Sequence, residues 1–274
     1  MGWCSKVSTL RFSEETWVQF PSPPLTFIIF YDRRYKVNTI TRDTIFSLET
    51  ENVSKGFYGH RKQLLRVLNN ALLKGEQPVL ITLTFSYVLL FAAWSEAQFM
   101  QVIHTPDTLS DSQVNSIKDA KNRLGMGEGW KALIKCAFAK VPGDDVQVRE
   151  KEARLIKVIE ECIIPNSLLR NKIAHGQWSV ALNREHTAQN ADLTNQLNEL
   201  DYVKIDLLFQ IQQVIGFIVR DLLQSPDRGH FRFFWQHDTK LQELLSKRSS
   251  WNIDSKLATL RNRKKNVSCV KNGT

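Results

Sequence analysis

The sequence predicts an all-α fold: a mainly helical bundle with a small β appendage near the N-terminus and a short hairpin late in the chain. Three observations carry that prediction. Leucine and isoleucine recur every three to four residues over several long windows; glycine, proline and capping residues separate those windows; and β-type patterning is confined to residues 25–40 and 177–183.

Residues 1–55 read as an N-terminal appendage without helical period. "LTFIIFY" at 25–31 and "KVNTI" at 36–40 are expected as strands around the charged turn "DRR", and "PSPP" at 21–24 enforces an extended or turn conformation ahead of them. The helical domain is expected over 56–235. It opens with "HRKQLLRVLNNALLKG", where Leu64, Leu65, Leu68 and Leu72 form one stripe ended by Gly75. The next helix, about 79–104, is apolar over most of its surface, which suits the centre of a bundle.

"SDSQVNSIKDAKNRL" begins with good capping residues, and "GWKALIKCAFAKV" follows the break "GMGEG", expected as a flexible helix–helix connection. After "PGDD", Leu155, Ile156, Ile159 and Ile163 keep helical spacing until Pro165 interrupts them. "NSLLRNKIAHG" is then a short new helix, capped by Asn166 or Ser167 and stopped by Gly176. "QWSVALN" alternates as a strand, and "REHTAQNADLTNQL" either returns as its partner or stays a loop. A long helix over 201–223 carries Val203, Leu207, Leu208, Ile211, Ile215, Ile218 and Leu222, before Pro226. Residues 236–274 are expected as a basic helical arm or tail, helical through "SKLATLRNRKK" and frayed beyond it, because 256–271 holds six Lys and Arg and no acid.

A net charge of +9 and a pI near 9.4 favour phosphate-rich partners. The four cysteines are widely spaced with no CxxC pair, which fits a reducing cytoplasm. No secretory leader is read at the start, and Lys6 spoils a myristoylation pattern. The apolar run 79–94 is shorter than the roughly 20 residues a membrane span needs, so it is expected to be a buried core helix; a membrane-associated toxin is the least favoured reading. There is no HExxH, His230 and His237 lack an evident carboxylate partner, and Glu160, Glu161, Asp144 and Asp145 read as helix-surface and turn residues. Neither a metal nor a cofactor is expected.

Arg170 and His175 lie in "LLRNKIAHGQW", residues 168–178, near a helix end. Two readings stand side by side. Cationic side chains in a last helical turn are favoured by about 0.3 to 1 kcal/mol through the helix dipole, so the pair can be a solvated terminus. Alternatively, His can take the proton of a ribose 2′-hydroxyl, or give one to a leaving 5′-oxygen, while Arg binds the phosphate as negative charge builds on it. Five positions at 100° each put the two side chains about 140° apart on an ideal helix. They converge if the helix ends near Ala174 and His175 swings back, or if two copies of the stretch meet.

Arg170-Asn171-Lys172-Ile173-Ala174-His175 resembles the signature of the HEPN superfamily, an Arg followed after four to six residues by His, with a polar residue directly after the Arg. "LLFAAWSEAQFMQVI" is similar to the early HEPN helix that carries an aromatic residue and a Glu, and "RNKIAHGQWSVALN" before a long apolar helix resembles defence-associated members. The resemblance covers about 56–225. It implies a HEPN-like helical bundle and a homodimer in which both chains bring Arg and His to a two-fold cleft. The implied activity is metal-independent RNA cleavage in a prokaryotic defence or toxin–antitoxin setting, with an antitoxin or other defence protein as a further partner. Arg170, His175 and Asn171 are then the candidate catalytic residues. Lys172 and the tail's Arg261, Arg263, Lys264 and Lys265 are candidates for binding RNA, and Glu96 for supporting Arg170 as its ion-pair partner or simply marking the wet end of its helix. The competing class is a non-catalytic module that binds a nucleotide, a nucleic acid or a regulatory protein.

Overall fold

The computed structural model describes residues 40–143 and 146–271, with 264–271 as backbone alone. The strands expected at 25–31 and 36–40, and with them the β appendage, lie outside the described residues except for Ile40. Ile40–Thr274 forms one compact unit. Its described residues are mostly helical, and none belongs to a strand.

Helical structure begins at Arg42, ahead of the expected boundary at 56. α1 (Arg42–Ser54) runs through a π-helical turn (Lys55–His60) into α2 (Arg61–Lys74). α1 buries no residue of its own, which is why no apolar period announces it. Partly buried Val53 packs against the core, and hydrogen bonds add to that hold: Trp94 Nε1 donates to the Val53 carbonyl at 3.1 Å, Gln101 Nε2 to Thr50 Oγ1 at 3.0 Å, and the Arg42 guanidinium to the carbonyls of Leu109 and Ile103. α2 stops at Gly75 as expected.

α3 (Gln77–Ile103) and α9 (Tyr202–Gln224) pack together, and α9 rather than α3 is the central helix. Both are long and apolar enough to cross a membrane by length and composition, but the most apolar window of α9 is 72% buried and that of α3 only 39%. α3 leaves Val79, Ile81 and Leu89 exposed. Between the two helices the rings of Tyr87, Phe91, Trp94 and Phe209 pack with centroids 5.0–6.4 Å apart.

α4 (Asp111–Leu124) opens with a full capping box, the Ser110 side chain accepting from the Gln113 amide while the Gln113 side chain accepts from the Ser110 amide. "GMGEG" is not a flexible connection: α5 (Met126–Phe138) starts inside it. Its glycines permit close helix packing, since a Cβ on Gly127 would lie 2.3 Å from Ile164 Cγ1.

α6 (Val146–Val158), a second π-helical turn (Ile159–Ile163) and α7 (Ile164–Ala174) follow without a break, so Pro165 does not interrupt the helix. Proline removes one backbone donor. Here the Glu161 carbonyl accepts from Arg248 Nη2 at 3.2 Å, and the Cys162 carbonyl from Asn166 Nδ2 at 2.7 Å. Asn166 thus serves a carbonyl inside a helix instead of capping a new one.

The expected hairpin after residue 176 shrinks to one antiparallel bridge, Leu182 with Gln189. The segment beyond it turns helical as α8 (Ala191–Asn198), whose Leu193 amide is capped by Asn190 Oδ1. Asp201 caps α9 through the Val203 amide at 2.7 Å. After Pro226 the chain continues as the single turn α10 (Pro226–Arg228), a third π-helical turn (Gly229–Phe233), α11 (Phe234–Lys247) and α12 (Ile253–Lys271). α11 packs on α9 and buries Phe234, Leu241 and Leu244, so residues 236–247 belong to the bundle rather than to an arm. α12 lies against α2 and α9.

Candidate functional site

The stretch singled out by its arginine and histidine lies on α7, which packs against α3. A cleft of about 210 Å³ opens between these helices and the start of α5, with Ser95, Glu96, Lys121, Asn166, Ser167, Arg170 and Asn171 as its polar side chains. Arg170 is half-buried there, and its Nη1 donates to Asn171 Oδ1 at 2.9 Å. The residue after the arginine therefore fixes the guanidinium.

Glu96 reaches the same cleft but is not an ion-pair partner of Arg170. Its carboxylate accepts from Lys121 Nζ at 2.5 Å, across from α4. Lys121 was not foreseen, and as one cation on an amphipathic helix it carried no sign of a site. Its cleft-side position depends on how α4 packs on α5. Positive charge continues from it to Lys118 and Arg42: burial lowers the Lys118 pKa, and the neighbouring Arg42 and Lys121 add to that.

His175 stands apart. α7 ends at Ala174, as one of the two conditions for convergence required, but His175 is exposed and does not line the cleft. The helix closes in a Schellman motif: the Gln177 amide donates to the Lys172 carbonyl at 2.9 Å and the Gly176 amide to the Ile173 carbonyl at 3.1 Å. Gly176 sits at φ +77°, a left-handed conformation that glycine adopts freely. By helical position His175 lies on the exposed face that also carries Leu168, seven residues earlier, with Asn171 between that face and the cleft. Trp178, 60% exposed, flanks the same end and donates Nε1 to the Ile173 carbonyl.

The ammonium of Lys172 donates to the Leu182 carbonyl at 2.5 Å, so Lys172 pins the following loop to α7 instead of facing the cleft. Arg261 and Arg263 are exposed on α12, and none of the described α12 side chains lines the cleft; the side chains of Lys264 and Lys265 lie outside the described residues.

Among the described residues, no group of three or more His, Cys, Asp or Glu is placed to hold a metal ion. His237 pairs with Asp221 at 3.0 Å, a carboxylate partner that sequence spacing did not suggest, and His230 is buried beside Lys151 Nζ at 3.3 Å. Cys162 is buried, and desolvation pushes its thiol up to about 11, which makes it a poor nucleophile.

The arrangement offers a guanidinium bonded to a neighbouring amide, an ammonium paired with a carboxylate, and further amide and hydroxyl groups in a cleft of about 210 Å³, with the His175 imidazole outside it. Comparisons with protein-family models, with curated proteins and with solved structures found no match to this chain.

Proposed function

We propose that this chain is a metal-independent endoribonuclease that works as a homodimer, in the prokaryotic defence or toxin–antitoxin role that the HEPN resemblance implies. The observation that carries the proposal is the separation of the two motif residues: Arg170 held in the cleft by Asn171, His175 exposed beyond the helix end. A second copy related by a two-fold axis supplies the missing histidine to each arginine. Exposed apolar side chains on the two helices that form the cleft, and just past the end of α7, suit such an interface, with Ile81 55% and Leu89 39% exposed on α3, Leu168 48% on α7 and Trp178 beyond it.

In that dimer Arg170 and Lys121 hold the scissile phosphate, and Asn171 positions Arg170. The imidazole of His175 takes the 2′-hydroxyl proton as the oxygen attacks phosphorus, or in its protonated form gives a proton to the departing 5′-oxygen. The products are a 2′,3′-cyclic phosphate and a 5′-hydroxyl. The exposed cations of α12 hold more distant phosphates. An antitoxin or other defence protein that covers the cleft is the expected cytoplasmic partner.

The test is cleavage of total cellular RNA in excess EDTA by wild type and His175→Ala, with product ends mapped. Cyclic-phosphate ends from wild type alone support the proposal. A folded, dimeric wild type that cuts no RNA even with its neighbouring gene products present favours the competing reading, a module that only binds.

A further inference from the structure

We infer that a second pocket, on the other side of α3 from the cleft, binds an adenine nucleotide. It lies between α1, the first π-helical turn, α3 and α9, and has a volume of about 160 Å³. Three amides, of Gln98, Gln101 and Gln213, meet two rings there, Tyr58 and Phe217, and one cation, Arg220.

Gln98 is the deepest of these. It is 3% exposed, and its Oε1 has no hydrogen-bond partner. The amide is pressed against α9 at Gly216, where a Cβ would fall 2.4 Å from its nitrogen. A buried polar atom without a partner destabilises the empty protein, and a ligand that satisfies it recovers that loss. A glutamine amide sets a donor beside an acceptor, the pattern that pairs with N6 and N7 of adenine.

The remaining groups fit the rest of a nucleotide. Tyr58 is 65% exposed at the mouth, packed edge-on to Phe57, and leaves a ring free to stack on a base. Arg220 lies with its guanidinium 5.3 Å from the Phe217 ring centre and has no ion-pair partner among the described residues. No acidic residue lines the pocket, so its field favours a phosphate beside Arg220. A π-helical turn, here the one that carries Tyr58, often accompanies functional sites. Ser95 and Gln98, one turn apart on α3, face the cleft and this pocket respectively.

The experiment is calorimetric titration of the full chain with AMP, UMP and adenosine, on wild type and on Arg220→Ala, Gln98→Met and Arg170→Ala. Wild type is expected to bind AMP measurably at about 1 mM or below, and adenosine about 10-fold or more weakly, because the phosphate contact is lost. Arg220→Ala should bind AMP no better than wild type binds adenosine. Gln98→Met keeps the shape of the side chain and removes the unpaired amide, so it should melt no lower than wild type yet lose the preference for AMP over UMP. Arg170→Ala should bind AMP like wild type. If Gln98→Met does not fold, Gln213→Ala at the half-buried wall takes its place. Absence of AMP binding to wild type overturns the inference. So does AMP binding unchanged by Arg220→Ala, or lost in Arg170→Ala, since that would put the ligand in the α3/α7 cleft.

Discussion

A mixing experiment tests the two-chain site directly. On an ideal helix, positions five apart have Cα atoms roughly 9 Å apart and side chains diverging by about 140°. The structure keeps that divergence: Arg170 lines the cleft, and His175 is exposed beyond the last turn. If the proposed dimer is the active form, Arg170→Ala and His175→Ala each remove one half of its chemistry, and removing a general base or acid typically costs about 10²- to 10⁴-fold. When the two variants are unfolded together and refolded as an equal mixture, about half the dimers are hybrids, each with one intact Arg and one intact His on opposite chains. The mixture should then recover about a quarter or more of wild-type cleavage, read as the initial rate on a fluorogenic RNA in EDTA. His175 is exposed, so its variant should keep the wild-type melting temperature, and Arg170→Ala is scored only after its own melting curve shows it folded at the assay temperature. A mixture that remains as inactive as its components, with hybrids demonstrated by mass spectrometry, would refute the reasoning.

Other perturbations read other parts of the molecule. Gly127→Ala forces a methyl to 2.3 Å from Ile164 Cγ1 and should cost about 1 to 3 kcal/mol in urea unfolding despite the better helix propensity of alanine; Ile164→Ala in the same chain should recover part of that loss, and strict additivity would count against the close contact. His104 is 3% exposed, and burial, reinforced by Lys118 and Arg42, lowers its pKa to about 4. The unfolded chain takes this proton near pH 6.5 and the folded chain only near 4, so stability is complete above 6.5 and falls by about 1 to 3 kcal/mol as pH drops from 6.5 to 4. His104→Gln should flatten that part of the stability profile, and a His104 resonance titrating near 6.5 would contradict it. Arg261→Ala with Arg263→Ala should weaken RNA binding and reduce the salt slope by about 1 to 2, whereas an unchanged slope would remove α12 from the binding surface.

How legible each element was follows from what holds it. α2 and α9 announce themselves because each puts an apolar stripe into the core. α1 does not, because beyond the partly buried Val53 its ties to α3 and to the turn before α4 are hydrogen bonds from Trp94, Gln101 and Arg42, and no local pattern encodes an acceptor some forty to seventy residues away. The same distinction divides the cleft. Arg170 and Asn171 are neighbours in sequence and hydrogen-bond as neighbours, so a local pattern pointed to both. The partner of Glu96 is Lys121, twenty-five residues on, and the Glu96–Arg170 pairing offered by the sequence was one of several that chemistry allows. Lys172 looked like a free cation until the loop after α7 was seen to place the Leu182 carbonyl on it.

Pro165 shows how such long-range capture positions the site. A proline inside a helix normally kinks or ends it, since a carbonyl one turn back loses its donor. The chain here passes from α6 to α7 because Arg248, after α11, and Asn166 serve the Glu161 and Cys162 carbonyls, and that continuity sets where Arg170 points. Arg248→Ala should therefore cost about 0.5 to 1.5 kcal/mol, more than truncation of an ordinary surface arginine. Pro165→Ala restores a backbone N–H that can serve the same turn, so Arg248→Ala should cost measurably less in that background. Urea unfolding of the four proteins closes the cycle, and a coupling below about 0.3 kcal/mol would show that Arg248 acts elsewhere. If the coupling holds, RNA cleavage should follow it: impaired by Arg248→Ala alone and recovered in part with Pro165→Ala, although neither residue lines the cleft.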